Sequence, residues 1–174
     1  LDNSEAVVMI TGAIGTGKTM AIQSFLSRLG DRFLTALVTN TCVDGKELLK
    51  LILDDLGAPA DPGSDKSDLL IAFRNFIIEA GTRGQRVIIV IDEAQNLGRE
   101  VLEEVRQLTN LGQGDRQPVQ IILVGQPELE ATVERADLAQ LKQRIRVHYK
   151  LAPLSRREME EYIDHRMTVA GAKA

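Results

Sequence analysis

The sequence predicts a three-layer α/β domain in which a five-stranded parallel sheet is flanked by helices on both faces. Five segments of strand character alternate with segments of helical character, the pattern that gives a parallel sheet. The first, third and fourth strand segments are almost wholly apolar, as strands buried on both faces must be. A glycine-rich stretch, GAIGTGKT, directly follows the first. Ligands of such sheets bind at the carboxyl ends of the strands.

The predicted strands are Ala6–Thr11, Phe33–Thr39, Arg86–Asp92, Val119–Gly125 and Ile145–Leu151. In the last strand, apolar Val147 and Tyr149 alternate with polar His148 and Lys150. A period of two is typical of a strand with one face in water. We therefore expect the fifth strand to lie at or near an edge of the sheet, with its apolar side covered.

Helices are predicted where apolar residues recur at helical spacing. The first runs from the glycine-rich stretch to Gly30, which is placed to end it. Asp44 and Glu47 form a capping-box pattern before the second, and Gly57 follows its end. Apolar stripes mark two more helices, at Leu69, Leu70, Phe73, Phe76 and Ile77, and at Val101, Val105 and Leu108. Ser155 and Glu158 form a second capping box before a last helix, from about Arg156 to Ala170.

Composition places the chain among ordinary globular domains. Its 174 residues are 44% hydrophobic and 26% charged, with a net charge of -4, so no global basic field attracts nucleic acid. The one cysteine, Cys42, fits a reducing compartment. No apolar run is long enough to span a bilayer, and no signal peptide is recognisable. The chain begins at Leu1 and its last predicted helix stops just before GAKA, so we interpret it as an excerpt of a longer protein. We expect a cytoplasmic location and no membrane contact by this segment itself.

The stretch from Gly12 to Thr19 matches the phosphate-binding pattern G-x-x-x-x-G-K-[ST], and it lies between a buried strand and a helix. Glycines let backbone N–H groups turn toward phosphate oxygens, and the helix N-terminus adds positive potential. Lys18 would contact the β- and γ-phosphates of ATP, and Thr19 would offer its hydroxyl to Mg²⁺. The alternative is a simple turn. The predicted nucleotide-binding residues are Gly12, Ala13, Ile14, Gly15, Thr16, Gly17, Lys18, Thr19 and Met20.

Two adjacent carboxylates, Asp92 and Glu93, end the third predicted strand. Successive strand residues point to opposite sides, so the two can serve different tasks. We expect Asp92 to hold Mg²⁺ together with Thr19, and Glu93 to orient or deprotonate the attacking water. The alternative is a polar strand end that caps the next helix.

The chain resembles the AAA+ ATPases, and within them the general secretion pathway protein A family. The resemblance covers nearly all of it. The stretches that carry it are GAIGTGKT, LVTNTCVDGKELL, VIIVIDEAQNL, ILVGQPEL and LAQLKQRIRVHYKLAPLSRREMEEYIDHRMTVAG. The resemblance implies a Mg²⁺-dependent ATPase that works in the assembly of an envelope secretion machine. It also implies protein partners from that machine and a tether to the inner membrane outside this chain.

The resemblance assigns three further catalytic roles. Asn40, after the second strand, is the polar residue that can hold the catalytic glutamate away from water, or else a turn asparagine. Gln126 is at the position of the sensor for the γ-phosphate, although Asn, Ser or Thr is more usual there. Arg144 matches the arginine that a neighbouring subunit inserts into the site, which implies a homo-oligomer. Arg135 and Arg146 compete for that role, and a solvated surface arginine is the alternative.

The resemblance also divides the chain into a nucleotide-binding core, residues 1–151, and the first helix of a truncated lid, residues 152–174. Transposition-regulator ATPases share this core, so a DNA-linked function is the second hypothesis, although nucleic acid is not favoured. Its basic residues would be Lys142, Arg144, Arg146, Lys150, Arg156 and Arg157. A third hypothesis is a scaffold that binds nucleotide without hydrolysis. His148 and His165 are isolated in sequence, so no metal site of protein ligands is expected.

Overall fold

The computed structural model describes residues 7–58, 60–61, 63–111, 119–169 and 171. Its strands are β1 (Val7–Thr11), β2 (Phe33–Val38), β3 (Arg86–Ile91), β4 (Val119–Gly125) and β5 (Ile145–Lys150). Its helices are α1 (Lys18–Leu26), α2 (Gly45–Asp55), α3 (Lys66–Thr82), α4 (Arg99–Leu108), α5 (Glu128–Val133), α6 (Ala139–Arg144) and α7 (Arg156–Val169). The predicted strand start at Ala6 and helix end at Ala170 lie outside the described residues.

The strands form one parallel sheet in the order β2-β3-β4-β1-β5. β1 lies between β4 and β5, so the glycine-rich stretch leaves the sheet from an interior strand. Asp92 and Gln126 follow the neighbouring strands β3 and β4. Because all strands are parallel, these side chains leave the same, carboxyl edge of the sheet as the glycine-rich stretch.

Helices pack on both faces of the sheet. On one face α1 contributes Ile22, which packs with Ile88, Val90, Ile122 and Val124 of β3 and β4. On the other face, α2, α3 and α4 cover a larger core in which Leu53, Phe73 and Leu102 are fully buried. The three-layer α/β architecture predicted from the sequence is confirmed.

The capping predictions are confirmed at both sites. Asp44 and Glu47 exchange hydrogen bonds with each other's backbone N–H groups, at 2.8 and 2.9 Å. Ser155 and Glu158 do the same before α7. Gly57 follows α2 with a φ of +66°, which a side chain rarely adopts. A further capping box, at Asp65 and Asp68 before α3, went unnoticed in the sequence.

The prediction that Gly30 ends the first helix is wrong, because α1 ends at Leu26. Beyond that residue, Arg28 and Leu29 donate backbone hydrogen bonds to Phe25 and Leu26, three positions back. Such bonds tighten the chain into turns and stop the α-helical series before the glycine. Apolar spacing alone did not distinguish these turns from a further helical turn.

The fifth strand is at an edge of the sheet, as predicted, but its apolar side is not covered by the described residues. Val147 is 37% exposed and Tyr149 is 59% exposed. Every residue from Arg146 to Lys150 is exposed, on both faces of the strand. The expectation of one covered face is therefore wrong for this part of the chain, since α7 does not bury these side chains.

Candidate nucleotide-binding site

The loop between β1 and α1 requires its glycines. Gly15 and Gly17 have φ angles of +82° and +84°, a region in which side chains are strained. At Gly12, a Cβ atom would lie 2.7 Å from the Thr16 hydroxyl and 2.8 Å from the carbonyl oxygen of Leu151. Backbone conformation and lack of space together explain why glycine occupies these positions.

Lys18 points back into the loop. Its ammonium group donates to the carbonyl oxygens of Gly12, at 2.8 Å, and Ala13, at 3.0 Å, and the residue is only 7% exposed. α1 begins at Lys18, and no side chain caps its N-terminus at Gly17. Free N–H groups and the helix dipole favour an anion at this end. A lysine and a helix N-terminus are thus available to one anion, which is the arrangement that binds phosphate.

Thr19 and Asp92 meet beside this loop. The Thr19 hydroxyl donates to Oδ2 of Asp92 at 3.0 Å, and Oδ1 of Asp92 accepts from the Glu93 N–H at 2.9 Å. Asp92 is 4% exposed. A hydroxyl and a carboxylate are oxygen ligands of the kind that Mg²⁺ takes, and Mg²⁺ commonly uses only one or two protein ligands with water and phosphate oxygens. The pair therefore fits Mg²⁺. Within the described ranges, no group of three or more His, Cys, Asp or Glu residues could hold a metal ion.

The Glu93 carboxylate is held by two amides. Nε2 of Gln95 donates to Oε2 of Glu93 at 2.5 Å, and Nε2 of Gln126 donates to the same oxygen at 3.3 Å. The backbone of Glu93 is left-handed, with a φ of +52°, and the Thr41 hydroxyl donates to its carbonyl oxygen at 3.0 Å. Such strained backbone in a residue other than glycine is concentrated at functional sites. Glu93 and Gln126, both predicted from the sequence, are thus in direct contact.

The hydrogen bond from Gln95 is the main influence that holds the pKa of the Glu93 carboxyl below its ordinary value of 4.5. The hydrogen bond from Gln126 and the charge of Lys18 also lower this pKa, while partial burial opposes them. Glu93 is therefore ionised at neutral pH, the state in which a carboxylate can accept a proton.

Asn40 precedes Thr41, whose hydroxyl bonds to the Glu93 carbonyl oxygen, but its own side chain makes no hydrogen bond to Glu93 among the described residues. It is exposed and lines a groove of about 770 Å³ that extends along α2. Neighbouring lining residues include Val43, Glu47 and Leu51. The amide hydrogen bonds to the Glu93 carboxylate come from Gln95 and Gln126.

Arg144 lies at the amino edge of the sheet, where the parallel strands begin, and the glycine-rich loop lies at the carboxyl edge, where they end. Arg144 ends α6, and Ile145, which follows it, pairs with Val7 at the start of β1. The five residues of β1 separate this edge from the glycine-rich loop, and at about 3.3 Å per residue they span about 17 Å. Nη2 of Arg144 donates to the side-chain oxygen of Asn110 at 2.7 Å. Arg144 is therefore distant from the glycine-rich loop of its own chain, and its hydrogen bond is to Asn110.

Arg135 and Arg146, the two other candidates for the role of Arg144, have different surroundings. Arg135 forms an ion pair with Asp137 at 3.2 Å, and Arg99 contacts the same carboxylate at 3.0 Å. Arg146 is exposed on the edge strand β5. Neither has a hydrogen bond to the glycine-rich loop among the described residues, so neither belongs to the site of its own chain.

Sequence reasoning missed a polar cluster beside the loop. The Thr11 hydroxyl donates to Glu130 at 2.6 Å and lies 2.8 Å from Nε2 of His148, while Lys150 pairs with Glu130 at 2.5 Å. The hydrogen bonds from Lys150 and then Thr11 lower the pKa of Glu130. His148 is thus not isolated, although its neighbours do not form a metal site. The register of β1 and β5, together with the position of α5, brings together residues more than 100 positions apart, and no local pattern signals it.

In the part of the chain that the structure describes, no helix combines the length and apolar character that a membrane span requires.

Comparison with known proteins agrees with this geometry. The family model of the AAA domain matches residues 2–133. General secretion pathway protein A of Aeromonas hydrophila is 34% identical over 171 residues, which are 98% of this chain and 31% of that protein. The ATP-dependent target DNA activator B of Escherichia phage Mu is 33% identical over 105 residues, 60% of this chain and 31% of that protein. The chain thus spans about a third of the length of the curated relatives it matches.

Solved structures share the fold. The Aeropyrum pernix ORC2 protein in its ADPNP-ADP complexes superposes with a TM-score of 0.77 at 18% identity, over 94% of this chain and 46% of that one. Drosophila ORC bound to DNA gives a TM-score of 0.71 at 22% identity, over 96% of this chain and 42% of the other. Because the AAA domain model matches most of the sequence, this chain belongs to the AAA domain family and is an AAA+ P-loop ATPase domain.

Proposed function

We propose that this domain binds ATP with Mg²⁺ and hydrolyses it, and that hydrolysis serves the assembly of an envelope secretion machine. The observation that carries the proposal is the meeting of Lys18, Thr19, Asp92 and Glu93 at the carboxyl edge of the sheet, around a loop whose shape requires glycine. A scaffold that only binds nucleotide would not need Glu93, which stands as an ionised base beside the predicted Mg²⁺ ligands.

In the proposed complex, the backbone N–H groups from Gly12 to Met20 surround the phosphates of ATP. Lys18 leaves the carbonyl oxygens of Gly12 and Ala13 and contacts the β- and γ-phosphates. Thr19 and Asp92 would hold Mg²⁺, directly or through water, and the ion would supply positive charge that stabilises the transferred phosphoryl group.

Glu93 accepts a proton from a water molecule as the water oxygen bonds to the γ-phosphorus. The bond between the γ-phosphorus and the bridging oxygen breaks, and ADP and inorganic phosphate leave. Gln126, which already contacts Glu93, is the proposed sensor of the γ-phosphate or the water. Asn40 remains the proposed restraint on Glu93, a contact that would form when nucleotide binds.

Arg144 is proposed to act on the nucleotide of a neighbouring copy. Its place at the amino edge supports this role, because a side chain on the far side of β1 does not reach the loop of its own chain. We accordingly propose a homo-oligomer, with residues 1–151 as the core and residues 152–174 as the first lid helix of each subunit. We also propose that the domain works in the cytoplasm, where ATP is available to it.

Glu93→Gln tests the proposed reaction. In the complete natural chain, the variant should bind ATP with native affinity in a calorimetric titration, yet release no phosphate when Mg²⁺ is present. The amide is nearly the same size but cannot accept the water's proton. Turnover at the native rate would show that Glu93 is not the base, and loss of ATP binding would show that it serves binding instead.

The secretion role rests on the likeness to general secretion pathway protein A over 98% of this chain. In the bacterium that carries it, replacement of the gene by the Glu93→Gln variant should reduce protein secretion and the assembly of the envelope complex, measured by secreted enzyme and by native gels. Normal secretion in the variant strain would reject this assignment without touching the proposed ATPase reaction.

A DNA-linked function is the second candidate, because 105 residues are 33% identical to the phage Mu activator. The basic residues offer limited support. Four of them already pair with carboxylates of the same chain, namely Lys142 with Glu134, Lys150 with Glu130, Arg156 with Glu160 and Arg157 with Glu161. DNA binding that weakens steeply with salt, in the presence of ATP, would favour this function over secretion.

A further inference from the structure

One side chain connects the end of β4 to the carboxylate of Glu93. Gln95 lies in a short 3-10 turn, Ala94–Asn96, directly after the two carboxylates. Its Nε2 donates to Oε2 of Glu93 at 2.5 Å, and its Oε1 accepts from the backbone N–H of Gln126 at 3.0 Å. Both polar ends of a single amide are therefore used, one by the Glu93 carboxylate and the other by the backbone of Gln126.

The chemistry of this contact requires an amide. A glutamine side chain offers N–H donors and a carbonyl acceptor at the same time, whereas a carboxylate offers only acceptors and an aliphatic chain offers neither. Ionised Glu93 needs a donor, and the N–H of Gln126 needs an acceptor. Glutamine satisfies both.

The neighbouring backbone leaves room for the amide. A Cβ atom on Gly125 would lie only 2.7 Å from Oε1 of Gln95, and 3.0 Å from a methyl carbon of Leu129. The φ of Gly125 is not in the left-handed region, so backbone conformation does not require glycine there. The close approach of Gln95 explains the absence of a side chain at this position.

The hydrogen bonds leave one oxygen of Glu93 available. Gln95 and Gln126 both donate to Oε2, and neither donates to Oε1. The backbone of Glu93 is held as well, by its left-handed conformation and by the Thr41 hydroxyl on its carbonyl oxygen. A carboxylate fixed through one oxygen presents the other in a constant direction, as a general base requires.

We propose that Gln95 is a positioning residue for the ATPase reaction: it fixes the Glu93 carboxylate through Oε2 and leaves Oε1 to accept the proton of the attacking water. This inference rests on the proposed function. Gln95 would act on the chemical step and not on ATP binding, because its contacts are with Glu93 and Gln126 and not with the glycine-rich loop. Its link to the Gln126 N–H would transmit any movement at the end of β4 to the base.

Two substitutions distinguish the contacts made by the two ends of the Gln95 amide. Gln95→Leu removes both contacts at similar size, while Gln95→Glu keeps an acceptor for the Gln126 N–H but loses the donor to Glu93. In the complete natural chain, both should lower kcat by at least about tenfold with an unchanged KM for ATP, since small displacements of reacting groups can cost about 10²-fold. If Gln95→Glu keeps the native kcat, the contact with Glu93 does not position the base.

Gly125→Ala tests the same contact without changing Gln95. The new methyl group would displace the far end of the Gln95 side chain, so kcat should fall while KM stays native. Gln85→Leu is the matched control, because the Gln85 amide also uses both ends, donating to the Asp31 carbonyl oxygen and accepting from Arg83, but it lies before β3 and not after it. The control should keep kcat within about twofold of the native value, as expected for a residue that contacts neither Glu93 nor Gln126.

A carbon-13 NMR titration of Glu93 provides a readout that does not depend on hydrolysis, with Glu93→Gln used to assign its signal. The charged side chains that face Glu93 are Lys18, which lowers its pKa, and the adjacent Asp92. Gln95→Leu should raise the Glu93 pKa toward its ordinary 4.5, because the hydrogen bond that lowers it most is lost. Gln95→Glu should raise it further, since a second negative charge is added.

The outcomes distinguish the two levels of the argument. A native chain that does not hydrolyse ATP counts against the proposed function. A native chain that hydrolyses ATP, together with inactive Glu93→Gln and a Gln95→Leu variant of native or raised kcat, overturns the role of Gln95 alone. A rise in the KM for ATP with no change in kcat also overturns it, because Gln95 would then act in ATP binding. If Gln95→Leu fails to fold, the kcat values of Gly125→Ala and Gln95→Glu test the role of Gln95 in its place.

Discussion

The two edges of the sheet hold their candidate catalytic residues in different ways. At the carboxyl edge, Lys18 and Asp92 are almost completely buried, and each has hydrogen-bond partners within the same chain. At the amino edge, Arg144 is half-buried and donates a hydrogen bond to one neutral amide, that of Asn110. The difference fits the proposal that one chain builds the phosphate site, whereas Arg144 acts on the nucleotide of a neighbouring copy.

The largest effect should come from Lys18→Ala, which we expect to abolish ATP binding and with it all turnover. The substitution removes a charged donor from the β- and γ-phosphates. Each hydrogen bond to a charged group contributes about 1.5–3 kcal/mol, so two such contacts correspond to a loss of affinity of about 10²-fold or more. Calorimetric titration with ATP and Mg²⁺ measures the change.

The control for this variant is Lys142→Ala, which removes an exposed lysine of α6 that pairs with Glu134. Its ATP affinity should stay native. Native affinity in Lys18→Ala would contradict the phosphate site itself, and the contrast between the two edges would then lose its basis.

Arg144→Ala should be the next most severe change, with ATP binding kept and turnover strongly reduced. An arginine supplied to the transferred phosphoryl group is worth about 10³–10⁵ in rate in other systems. Because Arg144 would have to come from a neighbouring copy, we expect the isolated 174-residue chain to hydrolyse ATP poorly wherever it is monomeric. Phosphate release at increasing protein concentration measures this dependence on assembly.

Mixing Arg144→Ala with Glu93→Gln sharpens the comparison. Some sites in the mixed assembly would combine an intact Glu93 from one subunit with an intact Arg144 from its neighbour, so part of the activity should return. Mixtures that stay inactive at every ratio, once subunit exchange has been demonstrated, would reject action on a neighbouring copy and leave Arg144 as a surface charge.

The central part of the fold was predictable because its physical causes are local. β3 and β4 are buried almost throughout, and their continuous apolar runs identified them. The positions of Lys18 and Asp92 followed from the same reasoning, because a motif after a buried parallel strand must lie at the carboxyl edge. The short helices α5 and α6 were not predicted, since six residues each are too few to show a helical period.

Contacts between distant segments could not be predicted in the same way. The hydrogen bond between Thr11 and Glu130 depends on how β1 and α5 meet, and the covered side expected of β5 depends on what packs against it. Gln95 is a different case, because it lies in the DEAQ stretch that sequence reasoning had singled out. Its role escaped notice because the direction of a side chain in a 3-10 turn depends on backbone angles such as the left-handed φ of Glu93.

The smallest of these effects should come from Asn110→Ala, which removes the acceptor of Arg144 at 2.7 Å but keeps the arginine. If Asn110 keeps Arg144 extended toward a neighbouring copy, its loss should lower turnover by only a few-fold, because one hydrogen bond of about 1 kcal/mol no longer restrains the side chain. Asn110→Asp is the matched variant, since it keeps an acceptor and should retain most of the activity. ATP affinity should stay native in both, as Asn110 lies at the end of α4, away from the glycine-rich loop.

A reduction as large as that of Arg144→Ala would show that Asn110 has a role of its own at the subunit contact. Identical turnover in Asn110→Ala and the native assembly would show that the amino edge needs only the charge of Arg144, whereas the carboxyl edge depends on fixed positions.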